Sequence, residues 1–83
     1  MTPREVAAEL KSRLGLPGWT GVVTAMDETR DWAAAIHSPD YVPGVRPVGL
    51  LVAERGRDAF DALARAARTA HRRLGDDGQG TLQ

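Results

Sequence analysis

Cysteine is absent from this chain of 83 residues. Its absence excludes disulfides, thiolate nucleophiles and every metal or iron–sulfur site that needs cysteine ligands. An excess of one charge is also absent, because 11 Lys and Arg residues balance 11 Asp and Glu residues. A neutral chain has no overall electrostatic attraction to nucleic acid or to an anionic membrane surface.

Long apolar runs are missing as well. No stretch approaches the roughly 20 apolar residues that a membrane-spanning helix needs. Residues 1–5 do not resemble the start of a signal peptide, because no apolar segment follows them. We therefore expect a cytoplasmic protein that does not bind a membrane.

Large apolar side chains are scarce. Aromatic residues make up 5% of the chain, and 13 of the residues in its 42% hydrophobic fraction are alanines, each of which buries little area. A small chain with so thin a core reaches only marginal stability by itself. We expect one domain at residues 1–75 that is completed by a protein partner or by further copies of itself, followed by a flexible polar tail at residues 76–83.

The N-terminal residues predict a helix. Thr2 and Glu5 are spaced as a capping box, in which each side chain accepts a hydrogen bond from the backbone of the other residue. Pro3 suits the first helical position, and apolar residues then recur at helical spacing up to Gly15. We predict one amphipathic helix over Pro3–Leu14.

Three strands are predicted after this helix. Alternating apolar and β-branched residues indicate the first two, which a polar turn joins as a hairpin. The third is a continuous apolar run, which is typical of a strand in the middle of a sheet or covered on both faces. The predicted strands are Trp19–Met26, Trp32–His37 and Val48–Ala53.

A second helix is predicted near the C-terminus, over Ala59–Leu74. Asp58 suits its N-cap, and Gly75 is a stop signal. Its predicted buried face contains Phe60, Leu63, Ala67, Ala70 and Leu74. The element order predicts an α+β domain, in which a helix, a three-stranded antiparallel meander and a helix follow one another and both helices pack on one face of the sheet.

Residues 38–47 contain three prolines at a spacing of four and are predicted to form a stiff loop. A polyproline-like backbone has little entropy left to lose, which suits presentation of Tyr41, Val42 and Val45 to a partner protein. The alternative is a connection that only crosses the edge of the sheet, with Tyr41 covering the core. The sequence leaves both interpretations open.

Four arginines lie on the second helix. Arg65, Arg68 and Arg72 recur at spacings of three and four residues, which places them on one stripe, and Arg73 follows. Guanidinium groups pair with phosphate in a bidentate geometry, so these residues are candidates for binding nucleic acid. The alternative is a solvated helix face on which Asp61 and Arg65 form an ion pair.

The predicted element order resembles that of the double-stranded RNA-binding domain. That family carries a Lys-Lys-x-Ala-Lys motif at the start of its last helix. The corresponding residues here, 59–63, read Ala-Phe-Asp-Ala-Leu and contain no lysine. The resemblance therefore covers the topology without the motif, and it assigns no residue a role.

Signatures of enzymes are weak. His37, Ser38 and Asp40 are close in sequence, but neighbouring side chains on an extended chain point apart, so His37 is poorly placed to activate Ser38. Metal-binding and nucleotide-binding motifs are absent from the sequence. We expect no catalytic residue, cofactor, metal or small-molecule substrate.

The sequence is best interpreted as that of a non-catalytic protein-interaction or assembly module. Ten of the 11 basic residues are arginine, and together with the alanine excess this composition favours a subunit of a larger bacterial or phage complex. The alternative is a nucleic-acid-binding domain that uses Arg65, Arg68, Arg72 and Arg73.

Overall fold

A computed structural model describes the backbone of residues 1–82 and the side chains of residues 1–75. Its elements are α1 (Pro3–Ser12), β1 (Thr20–Ala25), β2 (Trp32–His37), β3 (Leu51–Gly56) and α2 (Ala59–Leu82). The three strands form one antiparallel sheet in the order β1-β2-β3. Both helices pack on the same face of the sheet, α1 against β1 and α2 mainly against β2 and β3. The predicted α+β fold is confirmed.

The capping box at the start of α1 is confirmed. The Oγ1 atom of Thr2 accepts a hydrogen bond from the amide of Glu5 at 3.2 Å, and the carboxylate of Glu5 accepts one from the amide of Thr2 at 3.0 Å. The helix ends at Ser12, before the predicted Leu14. The amides of Arg13 and Leu14 both bond to one carbonyl, that of Glu9, so the last turn widens as the chain leaves the helix.

The core lies between the helices and one face of the sheet. Val23, Ala34 and Val52 are buried on β1, β2 and β3, and Val23 is paired with Ala34 across the two strands. The helices contribute Val6 and Leu10 from α1 and several alanines from α2. Because these alanines are small, α2 lies close to the sheet.

The third strand differs from its prediction. It spans Leu51–Gly56 rather than Val48–Ala53, because the chain turns at Gly49, whose φ is 82°, and Val48 pairs with Val42 instead. β3 is also an edge strand rather than a central one. One face of β3 is buried and its other face carries no helix. The prediction that β3 is central or covered on both faces is therefore wrong.

The second helix begins as predicted. The carboxylate of Asp58 accepts a hydrogen bond from the amide of Asp61 at 2.8 Å, which is the expected N-cap. Phe60 and Leu74 were predicted in the core, but both are exposed. The buried face is rotated toward smaller residues, which allow a closer approach to the sheet; it contains Ala62, Leu63, Ala66, Ala67 and Ala70.

The second helix extends to Leu82, beyond the predicted end at Leu74. An interior glycine costs about 1 kcal/mol relative to alanine but removes no hydrogen bond, so Gly75 does not by itself end the helix. The prediction of a flexible polar tail at residues 76–83 falls outside the residues whose side chains are described, and it stays a prediction.

Candidate functional site

One face of the sheet carries no helix. Side chains alternate between the two faces of a strand, and the register of the three strands fixes which ones share the face opposite the helices. We call this the outer sheet face. It consists of Thr20, Val22, Thr24, Ala33, Ala35, His37, Leu51, Ala53 and Arg55.

The outer sheet face has mostly small side chains and is almost uncharged. Its middle row consists of Val22, Ala35 and Ala53, which pair across the three strands. Arg55 is its one permanently charged residue. Three strands of six residues cover a footprint of roughly 20 by 14 Å. Because its side chains are small, another protein layer can approach it closely.

The proline-containing loop is folded back on itself, and the prediction of an extended polyproline-like loop is wrong. The amide of Val42 donates to the carbonyl of Val48 at 2.8 Å, and the amide of Val48 donates back at 3.1 Å. Gly44 and Gly49 have positive φ angles of 150° and 82°, which allow the chain to reverse. The loop is therefore a short hairpin rather than a spacer.

A buried serine anchors this loop. The hydroxyl of Ser38 donates to a carboxylate oxygen of Asp40 at 2.6 Å and accepts a hydrogen bond from the amide of Leu50 at 2.9 Å. Both ends of the loop are thus tied to one side chain that is only 7% exposed. Together with the Val42–Val48 pair, these bonds connect the two sides of the loop.

The three predicted interaction residues lie on this hairpin. The ring of Tyr41 packs against His37 with 5.3 Å between ring centroids, and His37 belongs to the outer sheet face. Tyr41 is absent from the buried core, so the alternative in which it covers the core is not supported. Val42 is exposed, and Val45 at the tip is fully exposed. The hairpin therefore adjoins the outer sheet face.

The His37, Ser38 and Asp40 group does not have the arrangement of a catalytic triad. Nδ1 of His37 lies 3.2 Å from the backbone carbonyl of Ser38. The hydroxyl of Ser38 donates instead to Asp40, and a base must contact the hydroxyl that it activates. In this arrangement Ser38 has a structural role.

Three of the four predicted arginines come together. Arg65, Arg68 and Arg72 line one open hollow of about 180 Å³, together with Glu54 and Thr69. We call these three residues the arginine stripe. Arg73 does not line this hollow, because it lies about 100° further around the helix than its neighbour in sequence.

The floor of this hollow was not predicted from the sequence. The buried hydroxyl of Thr69 donates to the carboxylate of Glu54 at 2.6 Å, and a guanidinium nitrogen of Arg72 lies 3.5 Å from the same hydroxyl. No sequence signal joins Glu54 and Thr69, because they lie on different elements. A carboxylate therefore sits among the arginines.

Asp61 stabilises the beginning of α2 and pairs with the stripe. Its carboxylate accepts a hydrogen bond from the amide of Arg57 at 2.8 Å and contacts Nε of Arg65 at 3.2 Å. The bond from Arg57, followed by the charge of Arg65, lowers the pKa of Asp61. The predicted Asp61–Arg65 pair is confirmed, and it partly neutralises one end of the stripe.

Comparison of the chain with family models, with curated proteins and with solved structures gives no match. Within the described residues, no helix is both long and apolar enough to cross a membrane.

Proposed function

We propose that this chain is a non-catalytic protein-interaction or assembly module, a subunit of a larger bacterial or phage complex. The observation that carries the proposal is the position of its exposed apolar side chains. Of the seven large ones in the described part of the chain, two lie on the outer sheet face and three on the adjoining hairpin. The five are Val22, Val42, Val45, Val48 and Leu51.

The amount of exposed apolar surface supports a partner. A sheet normally has its apolar face covered by a second layer, and contiguous exposed apolar patches of several hundred square ångströms usually mark binding surfaces. The outer sheet face alone has a footprint of about 280 Å², less than the roughly 800 Å² per partner of a typical stable interface. We infer that the hairpin takes part in the same contact.

Nucleic-acid binding is the second candidate, and the arginine stripe favours it. Three guanidinium groups share one hollow, which is a geometry suited to phosphate. Glu54 opposes it, because a carboxylate in the same hollow repels phosphate. If this candidate is right, the protein is retained on RNA with a steep dependence on salt, and replacing the stripe with glutamate abolishes retention.

The proposed function is tested by comparing exposed apolar residues at different positions on the surface. Val22 is 60% exposed on the outer sheet face, whereas Phe60 is 59% exposed on α2. Sedimentation velocity and capture from a lysate of the source cell are measured for the wild type, Val22→Lys, Val45→Lys and Phe60→Lys.

We expect Val22→Lys and Val45→Lys to weaken self-association, or to lose a captured protein that the wild type retains. Phe60→Lys should behave as the wild type does. A protein that stays monomeric at every concentration and captures nothing contradicts the proposal, as does an equal effect of all three substitutions.

A further inference from the structure

The free edge of β3 has unpaired backbone groups. The amide of Ser38 donates to the carbonyl of Leu50 at 2.9 Å, which makes these residues a hydrogen-bonded pair at the end of the antiparallel ladder. Such pairs alternate with non-bonded ones, so the N–H and C=O groups of Leu51, Ala53 and Arg55 point away from β2. Within the described residues, no other backbone segment bonds to them.

Arginines surround this edge. The arginine stripe lines a hollow with Glu54 of β3, and a second hollow next to it is lined by Arg55, Arg57 and Arg65, with Asp31. The two hollows share Arg65, so five arginines follow the edge strand. They outnumber the acidic residues there, which are Asp31, Glu54 and Asp61.

The other flank of α2 faces α1. Nε2 of His71 lies 2.6 Å from the carbonyl oxygen of Leu14, just after α1, and α1 packs on β1 at the far side of the sheet. The arginine stripe lines its hollow with Glu54 of β3 instead, and Arg65 and Arg72 lie about 100–120° around α2 from His71. The arginine stripe therefore lies above the free edge of β3 and is accessible to a chain that binds along that edge.

The stripe repeats at a slightly shorter spacing than the side chains of a strand, a difference that the long arginine side chains can span. Arg65, Arg68 and Arg72 are separated by rises of about 4.5 and 6 Å along the helix axis. Alternate side chains of a strand, which share one face, are about 6.7 Å apart. A strand added beside β3 would therefore place successive side chains of one face close to successive arginines, and those of the other face beside Leu51 and Ala53.

We propose that the free edge of β3 binds an extended segment of a partner protein in which acidic and apolar residues alternate. The segment adds to the sheet as a fourth strand, its carboxylates pair with the arginine stripe, and its apolar residues extend the outer sheet face. This inference rests on the proposed function, because it names a class of partner for the same interaction module. Strand addition supplies affinity through the backbone, and alternate side chains supply specificity.

A peptide fits this edge better than nucleic acid does. The backbone groups of Leu51, Ala53 and Arg55 are both donors and acceptors, which another strand satisfies and a phosphate chain does not. Glu54 also lies in the hollow of the stripe, where it repels a continuous line of phosphates. The carboxylates of a bound strand are separate from one another, so they can pair with arginines on either side of Glu54.

The test uses a fluorescein-labelled octapeptide of alternating glutamate and valine. Its binding to the full chain is measured by fluorescence anisotropy, and amide hydrogen exchange of Ala53 and Arg55 is followed by NMR. Two probes serve as comparisons. One is the same octapeptide with alternate amides N-methylated, which keeps the charge but blocks strand pairing; the other is a single-stranded RNA octamer.

Two variants with the same change in net charge separate the edge from the rest of the protein. Arg68→Glu with Arg72→Glu reverses two members of the stripe and leaves the Asp61–Arg65 pair intact. Arg4→Glu with Lys11→Glu makes the matched change on α1, at the opposite edge of the sheet. Circular dichroism checks that both variants are folded.

We expect the octapeptide to bind, to slow exchange at Ala53 and Arg55, and to lose affinity about tenfold for each reversed arginine of the stripe. The α1 variant should bind as the wild type does. The proposal is overturned if the octapeptide does not bind, if the N-methylated form binds equally well, if exchange at these amides is unchanged, if both variants lose affinity equally, or if RNA binds more tightly than the octapeptide.

Failure here is distinguishable from failure of the proposed function. The outer sheet face is tested by Val22→Lys against Phe60→Lys, and neither substitution changes an arginine of the stripe. If the octapeptide fails while Val22→Lys still disrupts association, the strand-addition inference is wrong and the interaction module stands.

Discussion

Replacing Gly56 with alanine tests how closely α2 lies on β3. Gly56 is buried at the end of β3, and a Cβ atom there would collide with the backbone amide of Ala62 and lie 2.7 Å from its Cα atom. These atoms belong to the helix backbone, so no side-chain rotation relieves the collision. Either α2 or the end of β3 must move.

The expected cost follows from two opposing terms. Forcing an extra carbon into a packed core costs about 1–3 kcal/mol, and a collision with backbone atoms places Gly56→Ala near the upper limit. Alanine in a strand recovers about 0.5–1 kcal/mol that glycine loses in entropy. We therefore expect a net loss of about 2 kcal/mol, which lowers the Tm of a domain of this size by roughly 8–16 °C.

Gly75→Ala is the matched control, because nothing lies within 4 Å of a Cβ at Gly75. In a helix interior the same substitution stabilises by up to about 1 kcal/mol. Urea unfolding followed by circular dichroism measures both variants and the wild type. If Gly56→Ala is neutral or stabilising, the close approach of α2 to β3 is wrong.

Four further stability predictions follow from single hydrogen bonds. Ser38→Ala leaves the amide of Leu50 without its partner and should lower the free energy of unfolding by about 1–3 kcal/mol; an unchanged urea midpoint would show that Ser38 does not anchor the loop. Thr69→Val removes the buried donor to Glu54 and should cost about 1.5–3 kcal/mol, whereas Thr69→Val combined with Glu54→Leu should cost less than the single change, because no carboxylate is then left unpaired. Thr2→Ala should cost about 1 kcal/mol through loss of the N-cap. The bonds from the backbone and side chain of Thr2 lower the pKa of Glu5. The contribution of this carboxylate to the free energy of unfolding is therefore complete above the ordinary pKa of glutamate, about 4.3. It is lost as the pH falls through the lowered pKa. Between neutral and acidic pH, the free energy of unfolding should fall less for Glu5→Gln than for the wild type.

Features of the fold that depend on local signals could be predicted from the sequence. The capping box of Thr2 and Glu5 and the N-cap at Asp58 are formed by residues three positions apart, so their spacing alone specifies them. The position of β3 could not be predicted, because the turn at Gly49 and the Val42–Val48 pair depend on contacts that the apolar run does not encode. The same holds for the approach of α2 to Gly56.

On the candidate surfaces, too, some features could be predicted from local spacing and others depend on packing. Helical spacing predicts that Arg65, Arg68 and Arg72 share a stripe, and it separates Arg73 from them. It does not show that Glu54 lies among them, because that proximity arises from the packing of α2 on β3. Likewise, alternation along each strand defines two faces, but only the placement of both helices on one side leaves the outer sheet face open.

Site-specific photocrosslinking in the source cell tests the central claim most directly. A photoreactive amino acid is placed at Val22, at Val45 and, as the control of equal exposure, at Phe60. If the outer sheet face and its hairpin form the interaction surface, the first two positions crosslink to one protein, either a partner or a second copy, and Phe60 does not. Crosslinks at Phe60 alone, to nucleic acid alone, or at no position contradict the claim.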